Sequence, residues 1–201
     1  MSAPGRALRI AVADDERDVR EYFQELLPRL GHQVTVAENG RQLAEHCRLF
    51  NPDLIITDIK MPDCDGIEAA VEVNRQREVP VILVSAHHDA ELLARASTDH
   101  IMAYLIKPVR QADVEAAIAI AMNRFEQFQA VRREAADLRQ ALEDRKVIER
   151  AKGIVMKRLS VGEQEAFRRI QRLAIDRNRK LLEVARTILG SDEVFQQLER
   201  L

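Results

Sequence analysis

Four short apolar runs in this 201-residue chain each hand over to a residue able to do chemistry. Residues 54–57 end at Asp58, which enters a loop, Ile59-Lys60-Met61-Pro62-Asp63-Cys64-Asp65-Gly66, broken by Pro and Gly. Residues 8–13 end at Asp14-Asp15, residues 81–84 at Ser85, and Tyr104-Leu105-Ile106 at Lys107-Pro108. Carboxylates gathered in one pocket repel one another unless a cation lies among them. Hard oxygen donors, with no His or Cys in the set, point to Mg2+. A lysine at the same edge neutralises an incoming anion, and the Ser85 hydroxyl is placed to hydrogen-bond it. Metal, nucleophilic carboxylate, lysine and hydroxyl together describe phosphoryl transfer onto Asp58, with electrostatic stabilisation supplying most of the catalysis. Taken singly, each residue has a plainer reading: Asp14 or Asp15 as a helix cap, Asp58 as the start of a turn, Lys107 as a surface charge. Their joint occurrence favours a site.

The elements that must position these groups are legible between residues 8 and 122. Residues 8–13, 33–37, 54–57, 79–85 and 102–106 read as five short strands, three of them continuous apolar runs suited to burial on both faces. Between them Val19-Tyr22-Phe23-Leu26-Leu27, Leu43-Cys47, Ala69-Val73 and Leu92-Leu93-Ala96 fall at helical spacing, and a last helix begins near Ala112 with Val114, Ile118 and Met122. Five βα units predict an α/β doubly wound, five-stranded parallel sheet. Right-handed crossovers carry the strand ends to one edge, where ligands bind in such folds. His87-His88 read as loop residues near that edge.

Composition narrows the class. Aromatic content of 4% with no Trp, among abundant Ala, Leu, Arg and Glu, favours helix. Nothing approaches the ~20 apolar residues of a membrane span, no signal-peptide core is seen, and Cys47 and Cys64 have neither disulfide-framework nor metal spacing. A cytoplasmic protein without membrane association is expected. Charge divides the chain: residues 1–123 hold 13 Lys and Arg against 20 Asp and Glu, residues 124–201 hold 18 against 13. Separate modules are implied, 1–123, a helical linker 124–144 and a basic tail 145–201. Phe128, Val131, Ala135, Leu138 and Leu142 recur at coiled-coil spacing in the linker, which suggests dimerisation there. The tail reads as the end of the long helix plus two more, one with Ala166, Phe167, Ile170, Leu173 and Ala174, one with Leu181, Leu182, Ala185, Ile188 and Leu189. Gly190 is expected to end the latter, with Ser191 or Asp192 capping a last turn. A three-helix bundle results.

Residues 8–122 resemble the receiver domain of two-component response regulators, which has the flavodoxin-like fold. The acidic pair Asp14-Asp15, the Asp58 loop with Met61-Pro62 and Gly66, Ser85, Tyr104 and Lys107-Pro108 carry the resemblance. It implies that Asp58 accepts phosphate from a histidine kinase, and that no catalysis beyond this transfer and slow autodephosphorylation occurs. It implies Mg2+ on Asp15, Asp58 and the Lys60 backbone carbonyl, with Asp14 helping through water. Ser85 and Tyr104 become the switch pair, and Lys107 binds the phosphate.

The tail has no convincing helix-turn-helix, nucleotide-binding or hydrolase motif. Residues 138–189 resemble the ANTAR domain, an RNA-binding module of transcription antitermination regulators. Arg145-x-x-Ile148-x-x-Ala151-Lys152-Gly153, then Ala166-Phe167, then Lys180-Leu181-x-x-Val184-Ala185 carry that match. Residues 145–186 hold 13 Lys and Arg against 5 Asp and Glu, a patch that attracts phosphate backbone. Candidate RNA contacts are Arg145, Lys146, Arg150, Lys152, Gly153, Arg177, Arg179 and Lys180, with Lys152 beside Gly153 favoured and Phe167 assigned to the core. The family's usual turn Gly and capping Ser or Thr are replaced by Ser160 and Gly162, so the turn geometry is expected to differ. Expected partners are a histidine kinase, RNA hairpins in a nascent transcript, and a second copy of the chain on activation. Duplex DNA and a protein-relay role are the competing outputs.

Overall fold

The computed structural model describes residues 6–86 and 100–198. Strands β1 (Arg9–Ala13), β2 (Gln33–Ala37), β3 (Leu54–Asp58), β4 (Val81–Ser85) and β5 (Ile101–Ile106) form one sheet in the order β2-β1-β3-β4-β5. Every pairing is parallel. Helices α1 (Arg17–Arg29), α2 (Gly40–Phe50) and α3 (Gly66–Gln76) connect the first four strands. The helix expected around Leu92-Leu93-Ala96, and His87-His88, lie outside the described residues.

Side chains alternate across the sheet with the period of two that a pleated strand imposes. Ile10, Val12, Leu54, Ile56, Ile82 and Val84 face one core with Phe23 and Leu27 of α1 and Val114 and Ile118 further on. Ala11, Ala13, Ile55, Val81 and Leu83 face the other with Leu43 and Cys47 of α2 and Ala69 and Val73 of α3. Burial on both sides explains why these strands read as continuous apolar runs. The Cys47 thiol is pushed up to about 12 by this burial. Local signals set the helix ends: the Asn39 side chain accepts from Gln42 N and the Asp65 side chain from Glu68 N.

After β5, a single helix α4 runs from Gln111 to Leu159. The expected receiver helix, linker and first tail helix are therefore one element, as the absence of Pro beyond residue 108 and of Gly before 153 permits. Two compact units divide within it, Met1–Gln129 and Ala130–Leu201. Phe128 belongs to the first unit: it packs on the receiver core and meets His100 edge-on at 5.8 Å. Of the residues at heptad spacing, Val131, Leu138 and Leu142 are exposed.

In the second unit, Ala151, Ile170, Ala174, Val184 and Ala185 are buried together between α4, α5 (Glu163–Asp176) and α6 (Leu181–Leu198). Phe167 is half-buried and outside this cluster, since its neighbour Ala166 takes the inward position. Leu173 is likewise largely exposed. Gly190 does not end α6, which continues to Leu198. Ser191 Oγ donates to Thr187 O within the helix, and Asp192 pairs with Arg158 rather than capping. The α4–α5 turn closes with Ser160 at φ 51 and Val161 N donating to Met156 O, a left-handed stop at the position where glycine is more usual. Asn178 at φ 47, with Arg179 N donating to Ala174 O, repeats that stop between α5 and α6.

Candidate phosphoacceptor site and basic tail

The site lies at the carboxyl edge of the sheet, where the strand order reverses about β1. Asp58 ends β3 and is only 7% exposed. Its loop is held by very close packing: Gly66 N donates to Ile59 O, and a Cβ on Gly66 would stand 1.9 Å from the Asp58 carbonyl oxygen. Glycine at 66 is thus a requirement for close approach. Thr57, fully buried, donates its hydroxyl to the same carbonyl.

Lys107 reaches the site from the end of β5, after a backbone bond from Lys107 N to Ser85 O and before a cis bond to Pro108. Its Nζ lies 2.8 Å from Asp58 Oδ2, 3.0 Å from Asp14 Oδ2 and 2.7 Å from Glu16 Oε1. Burial works against this ammonium, but hydrogen bonds to Asp58, Glu16 and Asp14 outweigh it and raise Lys107 above its ordinary value. Asp14 moves up too, because burial outweighs the help of Lys107 and of the Glu16 N–H, which donates to its Oδ1. Arg20 donates to the backbone carbonyls of Asp14 and Asp15, fixing the chain where it leaves β1.

Among the described residues, ligand oxygens of Asp14, Glu16 and Asp58 lie within 4.8 Å of one another. Asp15 is exposed and outside this trio, and Lys60 is exposed with its N–H donating to Asp58 Oδ1 at 3.3 Å. The group fits a hard divalent cation. It is all oxygen, and Asp14 Oδ2 is buried without a hydrogen bond of good geometry despite its 3.0 Å distance from Lys107. Sequence reasoning missed Glu16 and Arg20, although Glu16 directly follows the acidic pair. Ser85 is half-buried at the end of β4, one residue past Val84, the register partner of Asp58. Tyr104 is 42% exposed, so it points away from the pocket interior.

In the tail, Arg145, Lys146, Arg150, Gly153, Arg177, Arg179 and Lys180 are all exposed. Lys152 is not. Its side chain is 11% exposed and pairs with Glu149 at 2.5 Å and Glu163 at 2.7 Å. That geometry ties α4 to the first turn of α5, whose N-cap Gly162 offers no side-chain bond. Lys146 pairs with Glu143 on its own helix, and Arg179, in the connection after α5, pairs with Glu183 in the first turn of α6.

Comparison with known proteins agrees with this layout. The family model described as the response regulator receiver domain matches residues 10–119, and the ANTAR domain model matches residues 136–189. The Transcriptional regulatory protein PdtaR of Mycobacterium tuberculosis is 38% identical over 182 residues, 90% of this chain and 89% of that protein. The Regulatory protein AtoC of Escherichia coli is 31% identical over 135 residues, 67% of this chain but 28% of that protein. A response regulator receiver domain protein from Clostridium thermocellum superposes with TM-score 0.55 at 29% identity, covering 61% of this chain and 98% of that one. With a fold, a pocket and two family matches in agreement, the chain belongs to the response regulators that join an N-terminal receiver to a C-terminal ANTAR domain, an RNA-binding antitermination output.

Proposed function

We propose that Asp58 is the phosphoacceptor and that its phosphorylation controls RNA binding by the tail. The observation that carries this reading is the Lys107 ammonium lying 2.8 Å from a nearly buried Asp58 carboxylate oxygen. One Asp58 oxygen attacks the phosphorus of a phosphohistidine on a histidine kinase, and the imidazole leaves as the acyl phosphate forms. Lys107 then holds a phosphoryl oxygen, and the Ser85 hydroxyl donates to another. Tyr104, outside at rest, turns inward behind Ser85, which alters the surface around β5. Mg2+, when bound, offsets the charge of the carboxylates and the phosphoryl group. Asp58, Asp15 and the Lys60 carbonyl would hold it, with Asp14 adding negative charge beside them. Glu16, a partner of Lys107 at 2.7 Å, steadies the ammonium.

The altered receiver favours a homodimer through the exposed Val131, Leu138 and Leu142 stripe. Paired basic tails then engage hairpins of a nascent transcript in the cytoplasm. The test is hairpin-RNA binding by the full chain across a salt series, with and without acetyl phosphate and Mg2+. Binding strengthened by the donor in wild type but not in Asp58→Asn is expected. Equal stimulation of both proteins would refute the role of Asp58, and preference for duplex DNA at matched salt would refute the RNA output.

A further inference from the structure

Strand β5 carries a fault in its ladder. Val81 opposes Ile101 and Ile82 opposes Ala103, so Met102 has no partner on β4 and stands as a β-bulge. Burial shows the same fault. Met102 and Ala103 are buried in succession, both in the core that holds Phe23 and Val114, before Tyr104, Leu105 and Ile106 resume the alternation. One extra residue moves every later side chain to the opposite face. With the bulge, Tyr104 pairs with Leu83, and Ser85, two residues on, shares that face of β4. Without it, Tyr104 would stand opposite Val84, which faces the Phe23 and Val114 core, and would be turned away from Ser85.

The bulge is held from outside the sheet. β5 is an edge strand, so a neighbouring strand supports it on one side alone. On α4, Arg124 donates from Nη1 to the carbonyl of Met102, the bulged residue itself, at 2.9 Å. Phe125 beside it is buried in the core, and one turn further Phe128 meets His100, the residue at the entry to β5. The guanidinium bond is charge-assisted, and stronger than a neutral donor would make it.

We propose that Arg124 is a positioning residue for Tyr104: by holding the Met102 bulge it keeps the tyrosine on the Ser85 face of the sheet. This deepens the switch reading above and rests on it. Bulges near functional sites re-aim a side chain. The one at Met102 re-aims Tyr104, and Arg124 fixes it in a strand that has no second ladder to do so.

The experiment uses the full chain carrying fluorotyrosine, read by fluorine NMR. Of its two tyrosines, Tyr22 is replaced in a Tyr22→Phe background so that Tyr104 alone reports. Arg124 is exposed, so Arg124→Met removes the donor without opening the core. With Arg124 present, one Tyr104 resonance is expected. Arg124→Met is expected to add a second, its population raised about tenfold, the scale of one lost hydrogen bond to a charged group. Arg124→Lys, which keeps a cationic donor, should restore part of the single signal. Arg124→Gln repeats the measurement should the Met variant lose helical circular dichroism. A lowered urea midpoint with one unmoved resonance overturns the proposal and leaves Arg124 a structural brace. Acetyl phosphate and Mg2+ then separate this from the switch itself. A single resonance that moves as far in Arg124→Met as with Arg124 present overturns the positioning role and leaves the switch intact. A resonance that never moves with the donor refutes the inward turn of Tyr104, whereas a second resting resonance in Arg124→Met would still support the hold on the bulge.

Discussion

Replacing Gly66 by Ala tests the packing that holds the phosphoacceptor strand. The added Cβ stands 1.9 Å from the Asp58 carbonyl oxygen and 2.6 Å from Thr57 Oγ1, where real contacts do not fall below 3.0 Å. The loop or the strand must give by roughly 1 Å, and the obstacle is backbone in a close-packed sheet rather than a pliant side-chain tip. Overpacking typically costs 1–3 kcal/mol, so a backbone clash belongs near about 3 kcal/mol. With an m-value of about 1.5 kcal/mol/M in urea, the receiver midpoint falls by about 2 M. The chain has two tyrosines, Tyr22 and Tyr104, and no Trp, so tyrosine fluorescence follows receiver unfolding alone. The displaced Asp58 should also accept phosphate from acetyl phosphate more slowly. A Gly66→Ala protein with a midpoint within 0.3 M of wild type and a normal rate would refute this account of the loop.

Lys107 sets an alkaline limit. Its value is raised on folding, so its contribution is fully present below its ordinary value of 10.5 and is lost as pH climbs through the higher folded value. The stability gap between wild type and Lys107→Met should therefore be level below pH 10.5 and shrink above it; a gap that grows with pH would contradict the ion-pair geometry. For Asp14, raised from 3.8 by burial, the sign is opposite to that of an ion-paired carboxylate: the folded chain binds the proton more readily. Asp14→Asn should accordingly flatten a loss of stability seen as pH rises from 3.8, which urea titrations at several pH values will read. Mg2+ titration should rank Asp15→Asn as more damaging than Glu16→Gln; the reverse order would place Glu16 among the ligands instead of Asp15. Lys152→Met should lower the melting temperature of the tail yet leave hairpin affinity unchanged at temperatures where the variant is folded, and a selective loss of RNA binding would return Lys152 to the interface.

What the sequence by itself determined is the receiver: its strand and helix periods, and a set of polar residues each placed at a strand's carboxyl end. Parallel βα topology has one handedness, so residues as distant as Asp14 and Lys107 had to meet at one edge once the strands were recognised. The unbroken helix through residues 111–159 was also latent in a segment without Pro, although its pieces were read as separate modules. Tertiary structure alone decided which charges pair. Lys107 finds Glu16, 91 residues away, as well as the two aspartates. Lys152 is carried by the turn at Ser160 onto Glu163 and is held there as a buried clamp between helices. Phe128 was legible as a seam residue but packs on the receiver core instead, and Gly190 as a helix end but lies inside α6. The reason is common to all of these. Backbone pattern follows from local sterics and hydrophobic period, which the chain carries at every residue. The fate of a long polar side chain or an interior glycine depends on what the fold brings opposite it.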